Sequence, residues 1–263
     1  DIPQTALQSY NQLAWFDGVA DHVSIANHDD FSFGNGSADD PFSVSAWIFM
    51  NDATSFTIIS KHQSSKREWL FAVDQNDKLV FYLYDESANA ASGRYFNETL
   101  TSYEGKWIHV AATYNGDESD VDGGIDLYIN GEVVDDTNYN SNSYSAMEND
   151  LDGIVSIGSY SSTAYANGCI TETCIWDKEL SQAEVNELYN DGKALDATTH
   201  SASSNLAGYW RNNGLATWSN LDNPGTHDGT PTSMTETLLL PAGIDSSRDT
   251  QGFIMNRQKD TNA

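Results

Sequence analysis

The chain is composed mainly of short segments in which apolar and polar residues alternate. In segment 42–50 (FSVSAWIFM) every second residue is apolar, so one continuous apolar face runs from Phe42 to Ile48. This alternation has the period of a β-strand with one buried face. Turn signals such as Asp17-Gly18 and Asn130-Gly131 separate such segments about every ten residues. Eight or more short strands spaced in this way predict an all-β fold, a two-sheet antiparallel jelly-roll sandwich.

One segment departs from the strand pattern and predicts a short helix. Residues 168–176 form a strand pattern, and Ser181 then stands three residues before Glu184. This spacing is a capping box, which marks the start of a helix. The apolar side of the helix consists of Leu180, Val185 and Leu188. Gly192 is expected to end the helix in a left-handed cap.

The composition changes after residue 192. Segment 193–263 is rich in Ser, Thr, Asn, Asp and Gly, and Leu206–Trp210 is its short strand pattern. It is predicted to be an irregular C-terminal extension that cannot build its own core and packs on the sandwich or on a neighbouring copy, which makes a homo-oligomer a further expectation. Truncation after Asp196 is expected to preserve the fold but to expose a strand edge and raise self-association.

The charge balance excludes one class of partner. The formal net charge is −27, from 39 acidic and 12 basic residues. Such a chain cannot neutralise phosphates, so nucleic-acid binding is excluded, and docking on anionic membranes is disfavoured. No run of about 18 apolar residues exists, so no membrane insertion is expected. The acidity is compatible both with solubility in a salty medium and with cation binding.

The two cysteines are not expected to form a disulfide. Cys169 and Cys174 lie in one predicted strand, and their odd spacing would point them to opposite faces of a straight strand. Their separation of about 16 Å would also be too long for a bridge.

Seven motifs in series resemble the laminin-G-like domains of the concanavalin A-like jelly rolls. The motifs are WFDGVADHVSI from Trp15, FSVSAWI from Phe42, IISK from Ile58, GKWIHVA from Gly105, DLYING from Asp126, Ile157-Gly158 and the strand–helix unit from Gly168. The resemblance covers about residues 12–192, so a jelly roll over 1–192 and an extension over 193–263 are predicted. It implies two antiparallel sheets, frequent calcium binding and an extracellular binding role, but it determines the fold far better than the ligand.

Two acidic clusters are candidate calcium sites. The first consists of Asp17, Asp21 and Glu172, which would come together because the first and last strands pair in this fold. Calcium prefers six to eight oxygen ligands, many of them from carboxylates and turns. The family often carries a further acid at the position of Thr171, and this chain does not. The second candidate is the loop with Asp117, Asp120 and Asp122, for which a solvated loop without metal is the alternative.

Catalysis is not predicted. Glucan-cleaving relatives carry Glu, Asp and Glu at alternate strand positions, and the nearest match is Glu148, Asp150 and Asp152, in which the third Glu is missing. His109 lies in the middle of a predicted strand and is interpreted as structural. Tyr82 and Tyr84 share one strand face, opposite Phe81 and Leu83, and are the candidate ligand-binding aromatics.

These patterns predict a non-catalytic recognition or adhesion module outside cells, which binds a glycan or cell-surface polysaccharide and holds structural calcium. The alternative is a structural protein on a virion surface, a capsid decoration or a tail or fibre component, with other virion proteins as partners. It rests on segments 209–218, 227–230 and 248–253, which resemble the tails beside such jelly rolls in marine phage proteins. A glycan-cleaving enzyme is the third alternative.

Overall fold

The alternating segments form β-strands in the computed structural model, which describes residues 12–239 except 118, 122, 135, 150 and 162, together with 256–259. The strands are β1 (Gln12–Asp17), β2 (His22–Ile25), β3 (Phe42–Met50), β4 (Thr57–Gln63), β5 (Lys66–Val73), β6 (Leu79–Asp85), β7 (Ala90–Phe96), β8 (Trp107–Tyr114), β9 (Ile125–Ile129), β10 (Glu132–Val133), β11 (Asp136–Ser141), β12 (Val155–Ile157), β13 (Ser159–Tyr160), β14 (Ala164–Tyr165), β15 (Asn167–Trp176), β16 (Leu206–Trp210), β17 (Thr230–Thr232), β18 (Glu236–Leu239) and β19 (Asn256–Lys259). The helix α1 spans Gln182–Tyr189, and short 3-10 helices span Asp29–Phe31, Leu100–Tyr103, Asn190–Gly192, Ala197–Thr199 and Ser203–Asn205.

The strands form two antiparallel sheets packed face to face. Sheet A has the order β10-β9-β8-β3-β15-β1-β18-β19, and β16 pairs with β15. Sheet B has the order β11-β7-β6-β5-β4-β12-β2-β17, and β13 pairs with β14 outside both sheets. The predicted two-sheet jelly roll with one short helix is confirmed.

The core between the sheets is built from the faces that the alternation predicts. Four residues of β3 are fully buried in it, namely Phe42, Val44, Ala46 and Ile48. The Phe42 ring meets sheet B, with its centroid 5.4 Å from that of Phe81 and 5.9 Å from that of Trp69. Full burial of such a side chain contributes roughly 1.5–3 kcal/mol to folding, so this layer is the main source of stability.

The Asp17-Gly18 turn is a corner between the sheets. It leads from β1 in sheet A to β2 in sheet B. On the sheet A side, Asp17 lies opposite Asn167 at the start of β15, so the expected pairing of the first strand with the last strand of the jelly roll is present. The corner therefore brings the two ends of the jelly roll together.

The helix α1 starts as predicted but ends differently. Its capping box is complete, because the Ser181 hydroxyl accepts from the Glu184 amide and the Glu184 carboxylate accepts from the Ser181 amide. Its C-cap is Asn190 (φ 47°), two residues before Gly192, which is also left-handed (φ 84°). Asn tolerates this conformation because its short polar side chain can bond locally. None of the helices in the described ranges has the length and apolar character to cross a membrane.

Strand β15 contains a β-bulge. Between the pairs Thr171–Trp47 and Cys174–Ser45, β15 advances three residues while β3 advances two. The extra residue reverses the alternation, so Cys169 and Cys174 both lie on the outer face of sheet A. The prediction that they point to opposite faces is wrong, because it assumed a straight strand. Both cysteines are buried and free.

The bulge also buries a carboxylate. Glu172 has a left-handed backbone (φ 51°) and is only 4% exposed. Its carboxylate accepts a hydrogen bond from Arg211 Nε at 2.8 Å and another from the Tyr209 hydroxyl. Burial raises the pKa of Glu172 to about 7, although Arg211 and Tyr209 oppose this shift. A residue beyond position 192 therefore pairs with a carboxylate within the jelly roll.

The described part of the extension packs on the sandwich. Strand β16 pairs with β15, β17 with β2 at the edge of sheet B, and β18 with β1 in sheet A. Trp210 and Trp218 are fully buried in the core between the sheets, and the Trp218 ring lies edge-on to Phe16 at 6.2 Å. Truncation after Asp196 would remove both tryptophans and leave Glu172 unpaired. These contacts change the expectation from a preserved fold to loss of the fold.

The Glu172–Arg211 pair gives a prediction about stability and pH. Arg211→Met should destabilise the fold by about 3 kcal/mol at pH 8, because removal of one partner leaves an uncompensated buried carboxylate. Without Arg211 the pKa of Glu172 in the folded state should rise further above its wild-type value of about 7, so the loss relative to the wild type should grow as pH rises above about 7. Urea unfolding at several pH values measures this. The double variant Arg211→Met/Glu172→Gln should lack the added pH dependence, and an unchanged pH dependence would contradict the prediction.

Candidate functional site

The outer face of sheet B carries a groove of about 570 Å³. Its walls include Tyr82 and Tyr84 of β6, Tyr139 of β11 and Tyr160 of β13, and it is called the tyrosine groove below. Its floor is apolar and consists of the buried residues Leu70, Ala72 and Val80. Its rim is polar and includes Asp74, Gln75 and Asn76. A concave apolar surface with a few polar groups at its edge is typical of a small-molecule binding site.

A glycine allows two of the tyrosines to meet. Gly93 of β7 lies between Tyr82 and Tyr139 and pairs with both. The two rings approach to a centroid distance of 4.5 Å across it, tilted by 34°. A Cβ on Gly93 would clash with the Phe81 carbonyl oxygen and come within 2.8 Å of Tyr82 Cδ1, so any side chain there would displace the β6 backbone as well as the Tyr82 ring. The Tyr139 side chain remains 37% exposed, so part of the surface formed by the two rings is accessible to a ligand.

The hydroxyl groups of Tyr82 and Tyr84 remain protonated. Burial raises the pKa of Tyr82 and Tyr84 above the usual value for tyrosine. Asp74 raises the pKa of Tyr82 further, and Tyr160 does so for Tyr84, because an additional negative charge nearby is unfavourable. Each hydroxyl can therefore both donate and accept a hydrogen bond at physiological pH.

His62 lies between two of the tyrosines. Its ring centroid is 4.7 Å from that of Tyr84 and 5.1 Å from that of Tyr160, both edge-on. Burial lowers the pKa of His62 to about 4, so the ring is neutral at physiological pH. Its Nδ1 is 2.8 Å from the Ser161 hydroxyl oxygen. A neutral polar ring therefore supports Tyr84 and Tyr160 beside the groove.

The corner after β1, called the acidic corner below and defined by Asp17 and Asp21, is a second candidate site. Asp17 Oδ1 accepts from the backbone amides of Val19 at 2.8 Å and Ala20 at 3.2 Å, so it supports the turn. Asp21 Oδ2 accepts from the Asp17 amide at 3.1 Å. Asp21 is 1% exposed, and its Oδ1 accepts no hydrogen bond from the described residues. A buried carboxylate oxygen of this kind is the type of ligand that calcium uses.

A third carboxylate reaches the acidic corner from the extension. Glu236 of β18 lies opposite Trp15 of β1 and is 6% exposed. Burial raises the pKa of Asp21 to about 7, and the charges of Asp17 and Glu236 act in the same direction. An additional cation would relieve this repulsion.

The other predicted metal ligands lie elsewhere. Glu172 is five residues beyond Asn167 along β15, about 16 Å for a strand, and it pairs with Arg211 instead of joining the acidic corner. Asp117 and Asp120 are exposed in their loop, and Asp122 lies outside the described residues. Hydrogen bonds from Ser119 lower the pKa of Asp117, so this carboxylate is stabilised without a metal.

The described residues that were considered for catalysis lie apart from the strand pattern of the glucan-cleaving relatives. Glu148 and Asp152 lie in the connection between β11 and β12 rather than at alternate positions of a strand, and Asp150 lies outside the described residues. His109 is 2% exposed, and burial lowers its pKa to about 3. It packs against the Trp47 ring on the outer face of sheet A, at a centroid distance of 5.6 Å.

The fold places the protein among the concanavalin A-like β-sandwiches. Residues 17–186 match the profile of the Laminin_G_3 family, described as the concanavalin A-like lectin/glucanases superfamily. The match covers more than half of the chain, and the chain belongs to this family. The resemblance inferred from the seven sequence motifs is therefore confirmed.

Individual relatives are distant. A solved Bacteroides ovatus protein to which carbohydrate binding has been ascribed shares 17% identity and a TM-score of 0.60, over 89% of this chain and 61% of that one. A heptameric pentraxin from Limulus polyphemus shares 14% identity and a TM-score of 0.45, over 68% of this chain and 82% of that one. Botulinum neurotoxin type E from Clostridium butyricum is 27% identical over 195 residues, 69% of this chain but only 14% of the toxin. This chain thus spans a small part of its curated relative.

The buried Asp21 gives a prediction without any metal. In a buffer that contains a metal chelator, the free energy of unfolding of the wild type should fall relative to that of the Asp21→Asn variant as the pH rises from about 4 to about 7. The reason is that the folded state, with a pKa of about 7 for Asp21 instead of 3.8, holds its proton through this window and the unfolded state does not. Thermal melts of both proteins at each pH measure the difference. The other carboxylates are common to the two proteins, so their contributions to the pH dependence cancel in this difference. A constant difference across the window would contradict the prediction.

Proposed function

We propose that the protein is a non-catalytic recognition module that binds a glycan in the tyrosine groove. The main support for this proposal is the pair of tyrosine rings, Tyr82 and Tyr139, which meet over Gly93 above an apolar floor. The C–H face of a sugar ring packs on an aromatic face, while polar groups at the rim bond its hydroxyls. The neutral hydroxyls of the groove and Asn76 at its rim match this requirement.

The relatives support the choice of ligand class. The Bacteroides ovatus protein has carbohydrate binding ascribed to it, and its fold covers most of this chain. The family is described by the words lectin and glucanases, both of which refer to carbohydrates. A receptor-like protein partner is the alternative occupant, and the experiment below separates the two.

We further propose that calcium binds at the acidic corner and stabilises the module. Asp21 Oδ1 and the nearby Glu236 would supply carboxylate oxygens, and carbonyl groups or water would complete the six to eight ligands that calcium requires. The loop with Asp117 is the weaker candidate, because its carboxylates are exposed and Asp117 already accepts hydrogen bonds from Ser119.

The extracellular location and the virion alternative stay predictions. A virion protein with this fold could use the same groove to attach to a cell-surface polysaccharide. Glycan binding would therefore support a recognition role both for an extracellular module and for a virion protein. Imaging of the source particle would distinguish these two locations.

Binding in the groove can be tested with Tyr139→Ala. Loss of this ring should weaken the affinity for a glycan selected on an array about tenfold, equivalent to about 1.4 kcal/mol. Tyr139→Phe is the matched control, because it keeps the ring and should bind nearly as well as the wild type. Titration calorimetry with the selected oligosaccharide measures both variants.

The position of Tyr139 keeps the experiment interpretable. Its side chain is 37% exposed on β11, the edge strand of sheet B, so its removal should leave the fold intact. Equal affinity of wild type and Tyr139→Ala would exclude the groove, and the absence of any array signal would favour a protein partner.

The calcium proposal predicts a difference between two acidic variants. A ligand at a hundredfold excess over its Kd stabilises the native state by about 2.7 kcal/mol, so calcium should raise the wild-type melting temperature by several degrees. Asp21→Asn should lose this gain, and Asp117→Asn should keep it. The reverse result would place calcium in the loop, and identical melts of the wild type with calcium and with chelator would exclude it.

A further inference from the structure

A second side-chain cluster lies where the extension meets the end of β2. His28, Asp30 and His227 each place one potential ligand atom within 4.8 Å of the other two. A search of the described residues for three or more His, Cys, Asp or Glu side chains with ligand atoms at such distances finds this group. The ligand atoms of the acidic corner are not grouped as closely. The three residues of this cluster line neither the tyrosine groove nor the core between the sheets.

The distances in the cluster fit a metal ion. His28 Nδ1 is 3.1 Å and His227 Nδ1 is 3.9 Å from Asp30 Oδ2. Ligand atoms bound at 2.0–2.2 Å to a tetrahedral ion are roughly 3.4 Å apart, so the two distances lie on either side of this value. The imidazole rings have a centroid distance of 4.2 Å with a tilt of 43°, so they face the same space.

The backbone and packing hold the ligands in place. His227 has a left-handed backbone (φ 60°), and its carbonyl accepts from Trp210 Nε1 at 2.9 Å. Its ring lies edge-on to the buried Phe31 at 5.1 Å. His28 is the N-cap of the 3-10 helix Asp29–Phe31, in which Nδ1 accepts from the Asp30 amide at 3.2 Å. A site whose ligands are positioned beforehand pays less ordering entropy when it binds.

The electrostatics make a cation favourable. Nδ1 of His28 has one lone pair, which accepts from the Asp30 amide at 3.2 Å and which a bound ion would take over in place of that hydrogen bond. This nitrogen lies 3.1 Å from the Asp30 carboxylate oxygen, so a cation bound between the two atoms would be attracted by the carboxylate charge.

We propose that His28, Asp30 and His227 bind a divalent transition metal ion of the zinc class. Two imidazoles and one carboxylate suit zinc better than calcium, which prefers oxygen ligands alone. A cavity of about 310 Å³ adjoins all three residues and leaves space for water or a partner's group in the fourth position. Since His28 precedes the jelly-roll strands β3–β15 and His227 lies in the extension, the ion fastens the extension to the sandwich.

The test is a titration of the full chain with zinc chloride in excess calcium, which keeps oxygen-rich sites occupied. One zinc ion per chain should bind, and it should raise the melting temperature. His28→Gln and His227→Gln should each weaken zinc binding at least about tenfold, the loss expected even for a residue that only supports a ligand. His22→Gln is the matched control, since His22 lies outside the cluster, and it should bind zinc like the wild type.

Cobalt chloride gives a readout that is independent of stability. Bound in place of zinc, it should give the visible absorption of a tetrahedral cobalt–imidazole site, and this absorption should be absent in His28→Gln. His28 is exposed, so this variant should fold even if replacement of the more buried His227 disturbs packing. Equal zinc affinity in the wild type and His28→Gln, several weak sites per chain, or no binding at millimolar zinc would each overturn the proposal.

Discussion

The extra residue in β15 is the constraint on which the rest of the sandwich depends. β15 pairs with β3 along one side, while β1 contacts its first residues at Gly168 and β16 its last ones from Thr173. The bulge falls between these two partners, and a bulge bends and twists its strand. The same bulge that allows one strand edge to pair with two partners also buries the Glu172 carboxylate against Tyr209 and Arg211. Arg211 then becomes necessary, and with it the part of the chain that carries β16.

Local signals in the sequence predicted the fold well. The alternation in β3, the Ser181–Glu184 capping box and the Asn130-Gly131 turn depend only on neighbours in the chain, and each appears in the structure. The errors arose where a regular element is interrupted. The cysteine prediction assumed straight alternation through β15, and no residue type there announces a bulge. The helix ended at Asn190 because asparagine, like glycine, accepts a left-handed backbone.

The candidate sites were only half predictable, because each combines distant parts of the chain. The shared face of Tyr82 and Tyr84 follows from strand periodicity, but their partner Tyr139 depends on the register of β11 against β7. Gly93 was a usable signal, since a glycine within a strand often marks a close approach. Glu236 and His227 come from the extension, where polar composition gave no indication of register. Three-dimensional neighbours of this kind require pairing information that one sequence lacks.

The late position of the core tryptophans has a consequence for folding in the cell. β1 pairs with β18, so Trp15 must wait for Glu236 before its strand is enclosed. At synthesis rates of about 5–20 residues per second, roughly 10–45 s separate the emergence of these residues. Such distant pairings slow folding, because a long loop must lose conformational entropy when it closes, before the new contacts stabilise the chain. During that interval Phe16 lacks Trp218, and the inner face of sheet A stays open to chaperones or to other nascent chains.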